Sequence, residues 1–234
     1  MLKNNLKNCI IITAYIEVSI KDILSSFCYY TDDGRLEKVC PDEAGIADEI
    51  LRDSFILCAD AGYEKALAEG IRPDLIMGDF DSLKGSLPED IEIVTHPVHK
   101  DDTDTGLALR YALSKGFKNV TIVGGIGGRM DHTLANIQDI VGYTGKGLQV
   151  IMKDGRNMFT VLREGTHTIP RFEGHCVSQF AHGGPAEVSI TGVEYPLDHH
   201  TLNCDFPLGV SNEFWEDTIT LTVHSGIILL IISK

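Results

Sequence analysis

The stretch "DTGLALRYALSKGFKNVTIVGGIGGRMDHTLANIQDIVG", Asp104–Gly142, decides the fold. It reads as helix, strand and helix. Leu107 and Tyr111, and Leu109 and Leu113, repeat at helical spacing, and Gly116 stops the first helix. "KNVTIVGG" reads as a strand. "DHTLANIQDIVG" returns to helical spacing, with Leu134, Ile137 and Val141 expected on the packed face. Apolar strands alternating with helices imply a parallel sheet covered on both faces.

Working outward, the same alternation continues. "NCIIITAYI", "SFILCAD", "DLIMGDF", "IEIVTHP" and "LQVIMKD" read as strands, and "EAGIADEILRD" and Tyr63–Glu69 read as helices. Beyond about Asp154 helical spacing disappears. "TVLREGTHTI", "HCVSQFAHG", "AEVSITGV" and "TITLTVHSGIILLIIS" read as strands separated by Gly, Pro and Asp turns. The fold class expected is α/β. An N-terminal Rossmann-like, mostly parallel sheet with helices on both faces is followed by a C-terminal antiparallel β-sandwich. The domains are expected at 1–146 and 147–234.

Composition narrows the function. The 234 residues carry a formal net charge of −14 and are 43% hydrophobic. There is material for a substantial core and no Lys/Arg cluster, which argues against nucleic acid or an anionic membrane as partner. The six cysteines form no CxxC pair, and several sit in apolar runs, as expected of reduced thiols in a cytoplasmic protein. The apolar runs at Cys9–Ile16 and Gly226–Ser233 are too short to span a bilayer, and no signal peptide is expected.

Four acidic or glycine-rich stretches follow predicted strands, at the sheet edge where ligands of open α/β sheets bind. They are "ADAG" (Ala59–Gly62), "GDFDS" (Gly78–Ser82), "KDDTD" (Lys100–Asp104) and "GGIGGRMDH" (Gly124–His132). Asp79 and Asp81, two apart in an extended segment, point the same way and suit Mg²⁺; the alternative is an Asx-turn with Ser82. In "KDDTD", Thr103 or Asp104 is either a helix N-cap or part of a metal–phosphate site, with Lys100 as phosphate partner and Asp101 as a further carboxylate. The glycines of "GGIGGRMDH" let backbone N–H groups approach a phosphate, although neither the dinucleotide fingerprint nor Walker A is matched. Arg129 either binds phosphate or pairs with a neighbouring acid, and Asp131 is either a site residue or an N-cap. His199 and His200 read as a loop pair, too little for a zinc site. Cys58 is either a nucleophile or, in its apolar run, core.

The ordered set "ADAG…GIRPDLIMGDFDSL…KDDTDTGLALRYA…GGIGGRMDHTLANI", with the later "GVEYPL" and "GVSNEF", resembles the thiamine pyrophosphokinase (thiamine diphosphokinase) family from about Phe55 onward. Two departures stand out. That family commonly has a glycine-rich turn after its first strand, where this chain has "IITAYIEVSI", and its "DGG" element is Asp60-Ala61-Gly62 here. The resemblance implies transfer of the β,γ-diphosphate of ATP to the hydroxyethyl oxygen of thiamine, giving thiamine diphosphate and AMP, in a homodimer with active sites shared between chains. It places Mg²⁺ on Asp79, Asp81, Asp101 and Asp104, with Asp79, Asp81 and Asp104 as catalytic carboxylates. It places ATP contacts on Asp60, Lys100, Asp101, Thr103, Arg129 and Asp131, and thiamine contacts on Tyr195, Ser211 and Asn212. Tyr195 read alone is equally a sandwich-edge aromatic. The same acidic cluster also suits a Mg²⁺-dependent nucleotide phosphohydrolase or a nucleotide-sensing module without chemistry.

Overall fold

The computed structural model describes residues 7–31, 34–39, 45–78, 88, 90–95 and 103–234. In chain order the elements begin β1 (Asn8–Ile12), α1 (Ile20–Leu24), β2 (Cys28–Tyr30), β3 (Leu36–Lys38), α2 (Ile46–Arg52), β4 (Phe55–Ala59), α3 (Gly62–Ala68) and β5 (Leu75–Gly78). They continue with β6 (Glu92–Thr95), α4 (Asp104–Ser114), β7 (Asn119–Val123), α5 (Met130–Thr144) and β8 (Gln149–Lys153). The remainder is all strand: β9 (Asn157–Leu162), β10 (Gly165–Pro170), β11 (Cys176–Ala181), β12 (Ala186–Thr191), β13 (Leu197–Leu202), β14 (Asn212–Glu213), β15 (Thr218–Ser225) and β16 (Ile228–Ser233).

The chain forms two compact units. The first comprises Met1–Ser26 and Cys40–Gly155, the second Phe27–Val39 and Arg156–Lys234. The boundary expected at 146/147 therefore moves to 155/156, because β8 completes the parallel sheet of the first unit by pairing with β7. The β2–β3 hairpin also leaves the N-terminal stretch for the second unit. There Cys28 packs its Sγ 3.1 Å from the Met158 sulfur, Tyr30 shares a hydrogen bond with Thr160, and Phe27 lies 5.8 Å from the Phe172 ring.

In the first unit six parallel strands run in the order β8-β7-β1-β4-β5-β6. Their alternation sorts side chains onto two covered faces. Ile10, Ile12, Ile56, Cys58, Ile76 and Val123 share a core with α1, α2 and α3. The opposite side carries α4, where Phe55 stacks on Tyr111 at 6.2 Å. The order reverses at β1: later strands are added on one side up to β6, then on the other from β7. Ligands of open parallel sheets bind at the carboxyl ends of strands beside such a reversal.

Lys153, at the end of β8, is fully buried and donates to the carbonyls of Leu24 (3.2 Å) and Ser26 (3.0 Å). These carbonyls lie at the C-terminal end of α1, which has no helical partners for them and favours a cation. At its other end α1 is capped by Ser19, and the Glu69 carboxylate accepts from the Ile20 N–H at 2.7 Å.

The packed face of α5 is not the expected one. Thr133, Asn136, Ile140 and Tyr143 are buried, while Leu134 is 57% exposed and Ile137 and Val141 are half-buried. Two of the four buried positions are polar because they hold the loop before the helix, as described below.

The second unit contains two antiparallel sheets, β14-β11-β16-β9 and β10-β15-β12-β13, together with the β2–β3 hairpin. Each larger sheet buries alternate residues, such as Val188 and Ile190 on β12, Leu221 and Val223 on β15, and Leu230 and Ile232 on β16. "TVLREGTHTI" is not one strand: it breaks into β9 and β10, which join different sheets. His199 and His200 lie on β13 and not in a loop. His199 stacks on His224 at 3.9 Å and hydrogen-bonds Glu187 at 2.7 Å. No helix among the described residues is long and apolar enough to cross a membrane.

Candidate active site

A cavity of about 240 Å³ opens at the carboxyl ends of β1, β4 and β7, where the strand order reverses. Thr13 and Tyr15 reach it from the end of β1, Asp60 from the end of β4, Thr103 and Asp104 from the start of α4, and Arg129 from the loop after β7. His132 and Asn136 of α5 complete the wall.

Asp60 is held in a left-handed conformation (φ 46°), with its N–H donating to Met77 O at 2.7 Å. Gly78, after Met77, lies so close that a Cβ there would stand 3.1 Å from the Asp60 Cα. The turn after β4 is thus fixed against the end of β5. Asp104 is the first residue of α4. Thr103 is the N-cap of that helix: its hydroxyl accepts from Gly106 N at 2.9 Å and donates to Asp139 Oδ2 at 2.7 Å. The Thr103 hydroxyl thus donates one hydrogen bond and accepts one within the protein. Burial holds the Asp139 carboxyl above the ordinary carboxylate range, opposed by the hydrogen bond from Thr103.

The glycine loop after β7 is braced by the protein around it. Gly124, Gly125, Gly127 and Gly128 all have positive φ, yet three of their N–H groups face protein. Gly124 donates to Lys153 O at 2.9 Å, Gly125 to Tyr15 O at 3.3 Å, and Gly127 to Thr133 Oγ1 at 3.1 Å. Asn136 donates to Gly125 O at 2.8 Å. The buried polar residues of α5 thus brace the loop from one side. Tyr15 covers it from the other, for a Cβ on Gly128 would stand 2.8 Å from the Tyr15 ring. The Tyr15 hydroxyl is fixed on Glu17, and that hydrogen bond raises its pKa.

Arg129 forks onto Asp131, with Nη2 2.6 Å from Oδ2 and Nε 3.2 Å from Oδ1. The pair is exposed, and the guanidinium beside Asp131 holds that carboxyl below its usual range. The N-cap position of α5 is Arg129, so Asp131 does not take the expected capping role. Cys58 is buried core with its thiol pushed up to about 12 by burial, which leaves it inert as a nucleophile.

Four expected site residues, Asp79, Asp81, Lys100 and Asp101, lie outside the described residues. Among the described residues no group of three or more His, Cys, Asp or Glu converges to hold a metal ion. Asp60 and Asp104 border the cavity as a pair. Their hard carboxylate oxygens fit Mg²⁺, which takes few protein ligands and retains several waters.

The expected thiamine contacts lie in the second unit. Tyr195 is 66% exposed. Asn212 is buried, and its amide bridges the backbone of that tyrosine: Oδ1 accepts from Tyr195 N at 3.0 Å and Nδ2 donates to Tyr195 O at 2.9 Å. In the structure Asn212 fixes an aromatic and does not itself face solvent. Ser211 is exposed, in a left-handed turn (φ 57°), with its N–H donating to Ser178 Oγ. Trp215 is 65% exposed and was not singled out from sequence, where a lone Trp carries no pattern. Thr13, Tyr15 and Asn136 were also missed. Their signal was the unusual "TAY" after the first strand, and an Asn at an apolar-spaced helix position.

Both regions of the chain match a known family. The model of the thiamin pyrophosphokinase catalytic domain matches residues 47–152, and that of its vitamin B1 binding domain matches residues 166–228. A thiamine pyrophosphokinase of Bacillus subtilis is 30% identical over 205 residues, covering 85% of this chain and 94% of that protein. Thiamin pyrophosphokinase 1 of Caenorhabditis elegans is 24% identical over 179 residues, covering 68% of this chain and 70% of its own. The crystal structure of thiamine pyrophosphokinase from Bacillus subtilis matches with a TM-score of 0.77 at 25% identity, over 97% of this chain and 99% of that one. With both family domains matched in order and a relative spanning nearly the whole chain, this protein belongs to the thiamin pyrophosphokinase family.

Proposed function

We propose that the protein transfers the β,γ-diphosphate of ATP to the hydroxyethyl oxygen of thiamine, giving thiamine diphosphate and AMP. The observation that carries this reading is the acidic cavity at the strand-order reversal of the first unit, in a chain that also has the vitamin B1 binding region. The thiamine oxygen attacks the β-phosphorus, the bond from that phosphorus to the α,β-bridging oxygen breaks to release AMP, and the hydroxyl proton passes to a carboxylate of the site. Such transfer needs alignment and charge neutralisation more than a covalent intermediate. Asp60 and Asp104, with Asp79, Asp81 and Asp101 by family resemblance, are the residues that would hold Mg²⁺. When bound, the ion neutralises phosphate charge. Arg129 supplies a guanidinium at the cavity wall for a phosphate oxygen, with Lys100 as its counterpart on the acidic segment.

Thiamine carries a permanent positive charge, and the exposed rings of Tyr195 and Trp215 suit an aromatic cation. The cytoplasm is the proposed location, because the cysteines form no CxxC pair and several sit in apolar runs, as expected of reduced thiols.

Incubation with ATP and Mg²⁺, with and without thiamine, tests the reading. AMP is expected only when thiamine is present. Release without thiamine indicates a phosphohydrolase, binding without turnover indicates a sensor, and ADP as the main product rules out diphosphate transfer.

The proposal extends to a homodimer with shared sites, supported by the separation of the candidates. Those for phosphate precede Asp154 and those for thiamine follow it. Co-refolding inactive Asp104→Asn and Ser211→Arg chains is expected to restore roughly a quarter of wild-type activity. Half of randomly paired dimers are mixed, and each mixed dimer has one undamaged site. No recovery in verified heterodimers means that each chain uses its own second unit.

A further inference from the structure

Asp139 stands on α5, two turns beyond the glycine loop, and carries no role in the chemistry above. Its carboxylate nevertheless reaches the start of α4. Thr103 donates to it at 2.7 Å, and the same hydroxyl accepts from Gly106 N at 2.9 Å. The approach requires a bare Cα at position 106: a Cβ there would stand 2.9 Å from Asp139 Oδ2 and 3.1 Å from Oδ1. Three groups are thus fitted to one another, namely a hydroxyl at the N-cap, a glycine in the first turn of the same helix and a carboxylate on the neighbouring helix.

An N-cap needs only its own hydroxyl, and Thr103 with Gly106 would suffice for the helix. The added carboxylate fixes the hydroxyl's direction and ties α4 to α5, which braces the glycine loop through Thr133 and Asn136. Asp104 is the next residue after Thr103. The geometry points to Asp139 as a positioning residue that sets where the Asp104 carboxylate stands in the cavity. This rests on the proposed reading of that cavity as the metal–nucleotide site.

The test is calorimetric binding of Mn²⁺ with ATP, without thiamine, to the full chain, alongside steady-state kinetics. Asp139→Ala is expected to weaken Mn²⁺–ATP binding by about tenfold, the lower end for lost outer-shell partners of metal ligands. KM for thiamine is expected to stay within about twofold, since the latch touches only the phosphate side. Asp139→Asn retains an oxygen that accepts from Thr103 and is expected to recover most of the loss. Thr103→Val, which loses the cap on Gly106 N as well as the contact with Asp139, is expected to weaken binding at least as much as Asp139→Ala, and the double variant to be no weaker than Thr103→Val.

Unchanged Mn²⁺–ATP binding in folded Asp139→Ala overturns the inference, as do additive losses in the double variant. If Asp139→Ala does not fold, Thr103→Ala against Thr103→Ser carries the same contrast, and equal binding by these two overturns it. A wild-type chain that does not bind Mn²⁺–ATP overturns it as well. A wild-type chain that binds Mn²⁺–ATP but makes no AMP with thiamine refutes the proposed function and leaves the latch to be judged by binding.

Discussion

Asp104→Asn is expected to lower thiamine-dependent AMP formation by roughly a hundredfold or more, the scale for losing one preorganised charged group from a site of developing charge. Asp104 is the first residue of α4 and borders the cavity, so its carboxylate is held by the backbone of a capped helix. Asparagine has nearly the same volume and keeps one oxygen, but the charge that suits a metal–phosphate group is gone. An acid in a first helical turn also stabilises the helix, by about 0.3–1 kcal/mol. The fold should therefore survive with a slightly lower melting temperature, and the loss of turnover should far exceed the loss of stability. Assays at saturating Mg²⁺, paired with thermal unfolding, separate the two. Near-normal turnover in a folded variant removes Asp104 from the site. Asp81→Asn is expected to behave alike by family resemblance.

The parallel sheet was legible because its strands are apolar on both faces. β4 is buried at every position, and such a run has no other soluble use. The candidate cavity was legible from the same reading, since the stretches after β4 and β7 and the start of α4 meet there, while Asp79 and Asp81 lie outside the described residues. The face of α5 was misread because periodicity counts apolar residues. Thr133 and Asn136 are buried for their hydrogen bonds to Gly127 and Gly125, and Leu134 is left outside. The bracing of the same loop was not legible either. Its glycines suggested amides free for phosphate, whereas Gly124, Gly125 and Gly127 direct theirs at Lys153 O, Tyr15 O and Thr133. The placement of β2 and β3 depends on contacts such as Tyr30 with Thr160, 130 residues apart, which no local pattern records.

Gly62→Ala is expected to destabilise the protein by about 3 kcal/mol, at the upper end for overpacking a well-packed interior. The reason is not backbone conformation. Gly62 opens α3, and inside a helix alanine is intrinsically better than glycine by about 1 kcal/mol. The obstacle is space: an added Cβ would stand 2.1 Å from Ile12 O and 2.8 Å from Ile12 C. Both are backbone atoms, and Ile12 pairs with Cys58 on one side and Val123 on the other, so β1 cannot yield. The helix must move instead. Ala61 alone separates Gly62 from Asp60, so the displacement is expected to reach the cavity and lower turnover as well. Gly142 is the control. It lies within α5 with nothing within 4 Å of its would-be Cβ, and Gly142→Ala is expected to gain up to about 1 kcal/mol. Urea unfolding of the two variants should give shifts of opposite sign. A Gly62→Ala midpoint equal to or above wild type would show that α3 does not sit as close to β1 as the structure has it.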